Sequence, residues 1–332
     1  MTEKTDVYEA LADMYEQEDP AGIGGPKTPV FLKVLRLQFT EEEAKLALQV
    51  RFPGGRLDEI SEKTGIKKEE LKKIFYRMAD KGTVFYDPDE DDPTYSIVAT
   101  AAPGVTETGM WSGIRFPYSA ELGKAIYEYL KEWSEEKLCT LGMPFAPVWA
   151  AEKTLPDDAL PSENLVEVLK EEGHWSISPC PCRISHWIAD PGNHCEHILA
   201  TCLHTGALSR WAVKHGMARE LTIDEVAEFL RECNEDGLVH TLNIQNCVCN
   251  CCNDCCGIFH GQNLGHEVFV PSPFVARVDE KACKACKSCS KRCPVNAIEV
   301  GEFASVSQES CLGCGVCVPT CKPEAVKLVR RL

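Results

Sequence analysis

Val278-Asp-Glu-Lys-Ala-Cys283-Lys-Ala-Cys286-Lys-Ser-Cys289-Ser-Lys-Arg-Cys293-Pro294-Val-Asn-Ala-Ile-Glu-Val300 is answered, at a period of 28 residues, by Val306-Ser-Gln-Glu-Ser-Cys311-Leu-Gly-Cys314-Gly-Val-Cys317-Val-Pro-Thr-Cys321-Lys-Pro323-Glu-Ala-Val-Lys-Leu-Val329. Each copy runs C-x2-C-x2-C-x3-C and then proline, the second copy placing Lys322 between its last cysteine and Pro323. Three thiolates so spaced can wrap one compact inorganic group, while the fourth points away from it. Zinc sites favour paired C-x2-C motifs, and a duplicated triple with trailing prolines is foreign to them. Ala285, Ser288, Gly313 and Gly315 are small, which suits loops whose amide N–H groups must approach sulfur.

This double run resembles the bacterial two-cluster ferredoxins, and the resemblance covers about 55 residues. It implies a (βαβ)2 ferredoxin domain over 271–332 and two [4Fe-4S] clusters that carry low-potential single electrons. Carried over by position, one cluster takes Cys283, Cys286, Cys289 and Cys321. The other takes Cys311, Cys314, Cys317 and Cys293, because in that family the fourth cysteine ligates the other cluster. The exchange ties the two halves together and keeps the clusters close enough for fast electron exchange. It names no substrate.

Twelve further cysteines lie upstream of this domain among the 20 in 332 residues, and residues 1–138 contain none. One group is Ser178-Pro179-Cys180-Pro181-Cys182-Arg183 with Cys195 and Cys202; the other is Cys247-Val-Cys249-Asn-Cys251-Cys252-Asn-Asp-Cys255-Cys256. Neither has zinc spacing, and their ten thiols exceed the eight that two more four-iron cubes require. About four clusters in all is therefore the expectation, with a single upstream cluster or upstream zinc as alternatives. The simplest partition joins Cys180, Cys182, Cys195 and Cys202, leaving four of the later six for another site. An interleaved arrangement is equally compatible. His186, His194, His197 and His204 crowd the first group and could supply a ligand or a proton; a mixed Cys/His cluster has a raised potential. Cys233 falls at helical spacing with Val226 and Leu230 and reads as core, as does Cys139 at the end of its helix.

The Cys180-Pro-Cys182-Arg183 stretch is similar to a fragment of ferredoxin-dependent thioredoxin reductases, in which a redox-active disulfide sits against a cluster. No second Cys-Pro-Cys or Cys-His-Cys follows. A reductase with a disulfide-active or substrate-active upstream cluster is thus an alternative function.

Ahead of the cysteines the chain is an ordinary folded module, so the fold class expected is α+β. We divide it into an N-terminal extension (1–27), a winged-helix-like domain (28–102), a helical cysteine-rich iron–sulfur domain (103–270) and the ferredoxin domain (271–332). Residues 28–52 read as helical with a restart at the capping box Thr40-Glu-Glu-Glu43. Helices around 57–64 and 67–81, split at Gly65, lead to a hairpin of Thr83-Val-Phe-Tyr and Thr94-Tyr-Ser-Ile-Val; the order resembles a winged helix-turn-helix. Further helices are expected from Ser119, with Leu122, Ile126, Leu130 and Trp133 on one face, and over 162–172 and 222–233.

The net charge of −16 disfavours nucleic acid as the principal partner, since phosphate contacts need a basic surface. From Val275 onward ten basic residues face six acids, so the first 274 residues carry −20. The wing brings Asp87, Asp89, Glu90, Asp91 and Asp92 where a DNA-binding wing would be basic, so a redox partner protein or another subunit is the expected target. A redox-sensing transcription regulator is the rival from another class. There is no P-loop, and Gly22-Ile-Gly24-Gly25-Pro26 lacks the strand-turn-helix setting of a dinucleotide site. The polar start Met1-Thr-Glu-Lys-Thr and the lack of a run of ~20 apolar residues predict a cytoplasmic chain, in whose reducing surroundings clustered thiols bind metal.

Overall fold

The structure is a computed structural model that describes residues 6–19, 22, 25–113, 115–138, 141, 143–193, 195–242 and 246–331. Cys139 and His194, both singled out above, lie outside them. In chain order the elements are α1 (Val7–Gln17), α2 (Pro29–Gln38), α3 (Glu41–Val50), α4 (Leu57–Thr64), α5 (Lys68–Asp80), β1 (Val84–Phe85), β2 (Ser96–Ile97), α6 (Thr106–Gly113) and α7 (Ser119–Glu132). Then come β3 (Ala146–Trp149), α8 (Leu165–Glu172), β4 (Trp175–Ser178), α9 (Pro181–Ala189), β5 (Cys202–Thr205), α10 (Gly206–Lys214), β6 (Arg219–Leu221), α11 (Ile223–Asp236), β7 (Val239–Leu242), β8 (Cys247–Cys251), α12 (Gly257–Asn263) and β9 (Phe269–Val270). The last are β10 (Phe274–Val278), α13 (Ser288–Arg292), β11 (Ile298–Val300), β12 (Ala304–Val306) and β13 (Val326–Arg330).

Two compact units share these elements. The first comprises Met1–Leu141, Ser178–Cys195 and Ala207–Arg219; the second comprises Gly142–Ile177, Glu196–Gly206 and Glu220–Leu332.

The first unit is helical for reasons written in its sequence. Thr40 and Glu43 form the reciprocal capping box that separates α2 from α3, and Gly65 ends α4 in the left-handed conformation that favours glycine. Helix α7 buries Leu122, Ile126 and Leu130, and Tyr129 stacks on Phe31 of α2 at 4.6 Å while Tyr15 meets Phe31 edge-on at 5.7 Å. Helices α3, α4 and α5 lead into an antiparallel hairpin in which Val84 faces Ile97.

The stretch 103–270, read as helical, also carries all seven strands of the largest sheet, ordered β6-β4-β5-β8-β7-β3-β9. These strands are three to five residues long apart from the two-residue β9, and several are buried on both faces, so they lack the alternation that would betray them. Strand β8 pairs antiparallel with both β5 and β7, whereas β3 pairs antiparallel with β7 and parallel with β9. At the chain's end β10 pairs antiparallel with β13 and β11 with β12. Phe274, Ala276, Ile298, Ala304, Val326 and Leu328 form a common core with Cys289, Cys311 and Cys317. Among the described residues no helix is long and apolar enough to cross a membrane.

In the first unit, His215 at the end of α10 is enclosed. Its Nδ1 lies 2.7 Å from Asp80 Oδ1, its Nε2 lies 3.1 Å from the Tyr86 hydroxyl, and the rings of Tyr76 and Trp211 pack beside it. Burial pulls this imidazole below its ordinary range, with Asp80 opposing and Lys214 and Arg115 assisting. The folded chain therefore prefers neutral His215, and the unfolded chain takes up the proton first as pH falls. Stability due to this group is full above the ordinary histidine range and is lost below it. We expect the denaturation midpoint to drop between pH of about 7.5 and about 5.5, by up to about 1.4 kcal/mol per pH unit, and His215→Gln to flatten that slope.

Candidate metal centres

The duplication seen in the sequence is repeated in the backbone. Ala285 and Gly313, Lys287 and Gly315, and Asn296 and Glu324 are three pairs of residues at the repeat spacing, and all six have positive φ between 50° and 80°. In the second copy glycine meets two of these needs. A Cβ on Gly313 would lie 2.1 Å from the Phe274 carbonyl oxygen, and one on Gly315 would lie 2.2 Å from Thr154 Oγ1. In the first copy Ala285 and Lys287 adopt the same left-handed conformation without glycine, at the steric cost that L side chains incur there. Ser288, grouped with the small loop residues in the sequence, instead opens α13.

These turns aim amides at sulfur. Ala285 N–H donates to Cys283 Sγ at 3.4 Å, Ala304 N–H to the same sulfur at 3.4 Å, and Ala297 N–H to Cys293 Sγ at 3.2 Å. The charges felt by each thiol show which sulfurs are neighbours. Cys314 is pushed up to about 12 by burial, and Cys311 and Cys293 add to that rise. Burial likewise raises Cys317, with Cys314, Cys311, Cys293 and Cys289 contributing. Cys289 is raised by burial too, and its neighbours are Cys321 and Cys283. Cys293 thus neighbours Cys314 and Cys317 of the second run, and Cys321 neighbours Cys289 of the first. Cys286 is the exception in exposure, and the Ser288 hydroxyl holds its thiol below the ordinary range.

Arginines brace this region. Arg331 donates to the Ser272 and Gln308 carbonyls and to Cys311 O, and Arg330 forms a two-pronged pair with Glu163 at 2.7 and 2.9 Å. Beside Arg330 the Glu163 carboxyl drops to about 2. Arg292 donates to the Asn234 and Glu235 carbonyls at the end of α11, where a helix has unsatisfied oxygens.

Upstream, the simplest partition of cysteines does not survive the strand register. Cys202 faces Cys249, and His204 faces Cys247, across the β5–β8 pair. Cys202 Sγ is 3.1 Å from Cys247 Sγ, Cys249 touches Cys202, Cys247 and Cys251, and Cys251 Sγ is 3.3 Å from Cys256 Sγ. Cys202 accordingly joins the later group, which is the interleaved arrangement. Cys252 lies within 4.8 Å of Cys255 and, in a separate grouping, of His197 and Asp254; His197 Nδ1 also meets Asp236 Oδ2 at 3.0 Å. In the first unit Cys180 and Cys182 are hydrogen-bonded thiols at the start of α9, and the same unit ends this segment at Cys195, beyond the helix. His186 stacks on Tyr127 at 4.9 Å, and Cys233 is buried on α11 as expected for core.

Among the described residues the sequence reading missed the grouping of His204 and Cys202 with Cys247, and that of His197 with Cys252 and Asp254. For the first, the signal was present as strand alternation, Cys202-x-His204 and Cys247-x-Cys249-x-Cys251, which places every second residue on one face.

Residues 276–322 match the 4Fe-4S dicluster domain. The chain is similar to a component of the ion-translocating oxidoreductase complex of Methanosarcina acetivorans, 47% identical over 55 residues, which are 16% of this chain and 21% of that protein. It is 30% identical over 95 residues to the electron transport protein HydN of Escherichia coli, covering 25% of this chain and 54% of HydN. A ferredoxin of Rickettsia felis is 44% identical over 48 residues, 14% of this chain and 44% of the ferredoxin. The chain thus spans from about a fifth to about half the length of these relatives. No solved structure matches. A 4Fe-4S dicluster ferredoxin domain near the C-terminus, related to ferredoxin-type electron transport proteins, is the conclusion these matches support.

Gly313→Ala should destabilise the anoxically purified protein by about 1–3 kcal/mol, and Lys287→Gly should stabilise it by about 0.5–1 kcal/mol, as read from denaturant midpoints. In cluster-free protein, brief treatment with iodoacetamide should alkylate Cys286 well before Cys314, as peptide mass spectrometry would report.

Proposed function

We propose that the chain is an electron-transfer protein that passes low-potential single electrons to or from a partner oxidoreductase. The observation that carries this reading is the dicluster match over 276–322, and the neighbourhood of Cys293 with Cys314 and Cys317 and of Cys289 with Cys321 supports it. Cys283, Cys286, Cys289 and Cys321 would hold one [4Fe-4S] cluster, and Cys311, Cys314, Cys317 and Cys293 the other, in a (βαβ)2 ferredoxin arrangement. Bound there, each cluster supplies one-electron oxidation and reduction.

The chain's own residues account for the rest. The amides of Ala285, Ala297 and Ala304 donate to ligand sulfur and offset the negative charge of thiolates. Burial of Cys311, Cys314 and Cys317 keeps water from one set of ligands, while exposed Cys286 marks the other as the edge for electron entry or exit. The basic residues after Val275 neutralise the domain's own centres, which leaves no need to invoke nucleic acid.

Upstream cysteines would hold about two more clusters, giving an internal relay. The order α3, α4, α5, β1, β2 fits a winged-helix module, which we assign to docking on a redox partner. Its wing acids Asp87 and Asp89 face Arg210 in the same unit, so they serve packing rather than phosphate contact.

Iron and acid-labile sulfide counted on anoxically purified protein test the proposal. About sixteen irons per chain is the expected result, about eight would confine the chemistry to the C-terminal domain, and colourless, sulfide-free protein would overturn it. A cluster-dependent, salt-sensitive gel shift with promoter DNA would instead support the regulator reading.

A further inference from the structure

The duplication near the C-terminus supplies its own comparison. At the repeat spacing Lys284, Lys287, Lys291 and Arg292 of the first copy stand where the second has Leu312, Gly315, Pro319 and Thr320. From Ala282 to Ile298 the chain carries four basic residues and no acid, whereas the matching stretch from Ser310 to Val326 carries one of each, Lys322 and Glu324. Both copies keep the same cysteine pattern, so the extra cations of the first are more than that pattern demands. Arg292 is committed to the Asn234 and Glu235 carbonyls. Lys284, Lys287 and Lys291 are exposed.

Lys287 has φ of 65°, in the left-handed region where the second copy places Gly315 at 80°. Glycine takes that conformation freely, and a lysine there carries steric strain that the fold itself does not require. Lys284 and Lys287 flank Cys286, which alone among the described cysteines is exposed. Lys291 lies one helical turn beyond Lys287, its N–H bonded to the Lys287 carbonyl at 3.1 Å, and so shares its side of the chain. Lys322, exposed beside Cys321, brings its charge to bear on the Cys286 sulfur. Cys321 lines an open groove of about 650 Å³, where Lys153, Lys322 and Lys327 stand against Asp157 and Glu324 around apolar Leu155 and Val318. Apolar lining within a charged rim is the anatomy of a protein contact.

We infer that the exposed face around Cys286, bearing Lys284, Lys287, Lys291 and Lys322, is the docking surface for an acidic one-electron redox protein. This rests on the proposed two-cluster electron transfer and names the partner's chemistry at that port; the partner is a carrier separate from the one assigned to the winged-helix module. The four lysines outweigh the charge of about −2 that an oxidised four-thiolate cube brings, so the face stays positive. Complementary charge steers the encounter and fixes its orientation. The first 274 residues, at −20, repel the same partner and leave this face as its way in. One electron crosses the contact: the donor loses it, the acceptor gains it, and no bond or proton moves.

The test uses full-length protein purified without oxygen, its iron and sulfide counted, then reduced and mixed in a stopped flow with a purified acidic flavodoxin, the anionic cobalt(III)–EDTA chelate or the cationic hexaamminecobalt(III) ion. Ionic strength runs from about 0.1 M, where the screening length is about 10 Å, to about 0.5 M, so that charges near the contact decide the outcome. Rates with both anionic oxidants should fall as salt rises, and the rate with the cation should rise. Lys284→Gln combined with Lys287→Gly and Lys322→Gln should slow the anionic oxidants about tenfold at the lowest salt and flatten their salt dependence. Lys287→Gly alone should slow them while raising the denaturant midpoint, a combination that a structural role for this lysine would not produce. Anionic rates that rise with salt, or a salt dependence that the triple variant leaves unchanged, overturn the docking assignment and leave the electron-transfer reading standing. Protein without iron and sulfide, or iron that none of these oxidants reoxidises, overturns the electron-transfer reading and the docking assignment with it.

Discussion

Sulfur packed against sulfur inside the protein is the arrangement on which the rest depends. Thiols gain little from hydrogen bonding to each other, and thiolates repel in a medium of low dielectric. Cys202, Cys247, Cys249, Cys251 and Cys256 are nevertheless brought into a chain of contacts, and Cys311, Cys314 and Cys317 are buried beside Cys293. A bound cation changes the balance: it pairs with thiolate charge, and its binding energy contributes to folding. The chain's task is then to hold loops and strands in the geometry that such a centre needs.

Two different devices do this. Near the C-terminus the ligands ride on loops, shaped by three pairs of left-handed residues at the repeat spacing and braced by Arg292, Arg330 and Arg331. In the β5–β8 pair the cysteines ride on strands, and the ladder register spaces them directly. Thiols on paired strands are held more rigidly than thiols on loops, because each backbone position is fixed by cross-strand hydrogen bonds. The loops of the repeat compensate with N–H···S bonds and close approaches such as Gly313 to the Phe274 carbonyl.

The cysteine-free opening segment contributes in another way. Its helices pack around Phe31, Tyr15 and Tyr129, and its acidic hairpin turns inward to Arg210. Acidic charge there cannot be read as a bare repulsive surface, since part of it is committed to ion pairs within the unit. Arg56 to Asp92 and Lys81 to Glu43 extend the pattern.

Much of this is legible in the order of residues alone. The cysteine spacing and its period give the dicluster domain, because ligand geometry imposes local sequence separations of two and three residues. Capping residues such as Thr40 and Thr222 mark helix starts, because an N-cap interaction is made within one turn. What spacing could not decide was pairing between distant segments. Cys202 meets Cys247 across 45 residues, and the two strands that bring them together, β5 and β8, are short and buried on both faces. The sequence by itself determined that sulfur would hold metal and where the doubled centre lies. Only the tertiary structure decided which upstream sulfurs are neighbours and that His204 stands among them, because alternation shows which residues share a face but the pairing of strands 45 residues apart is set by packing across the sheet.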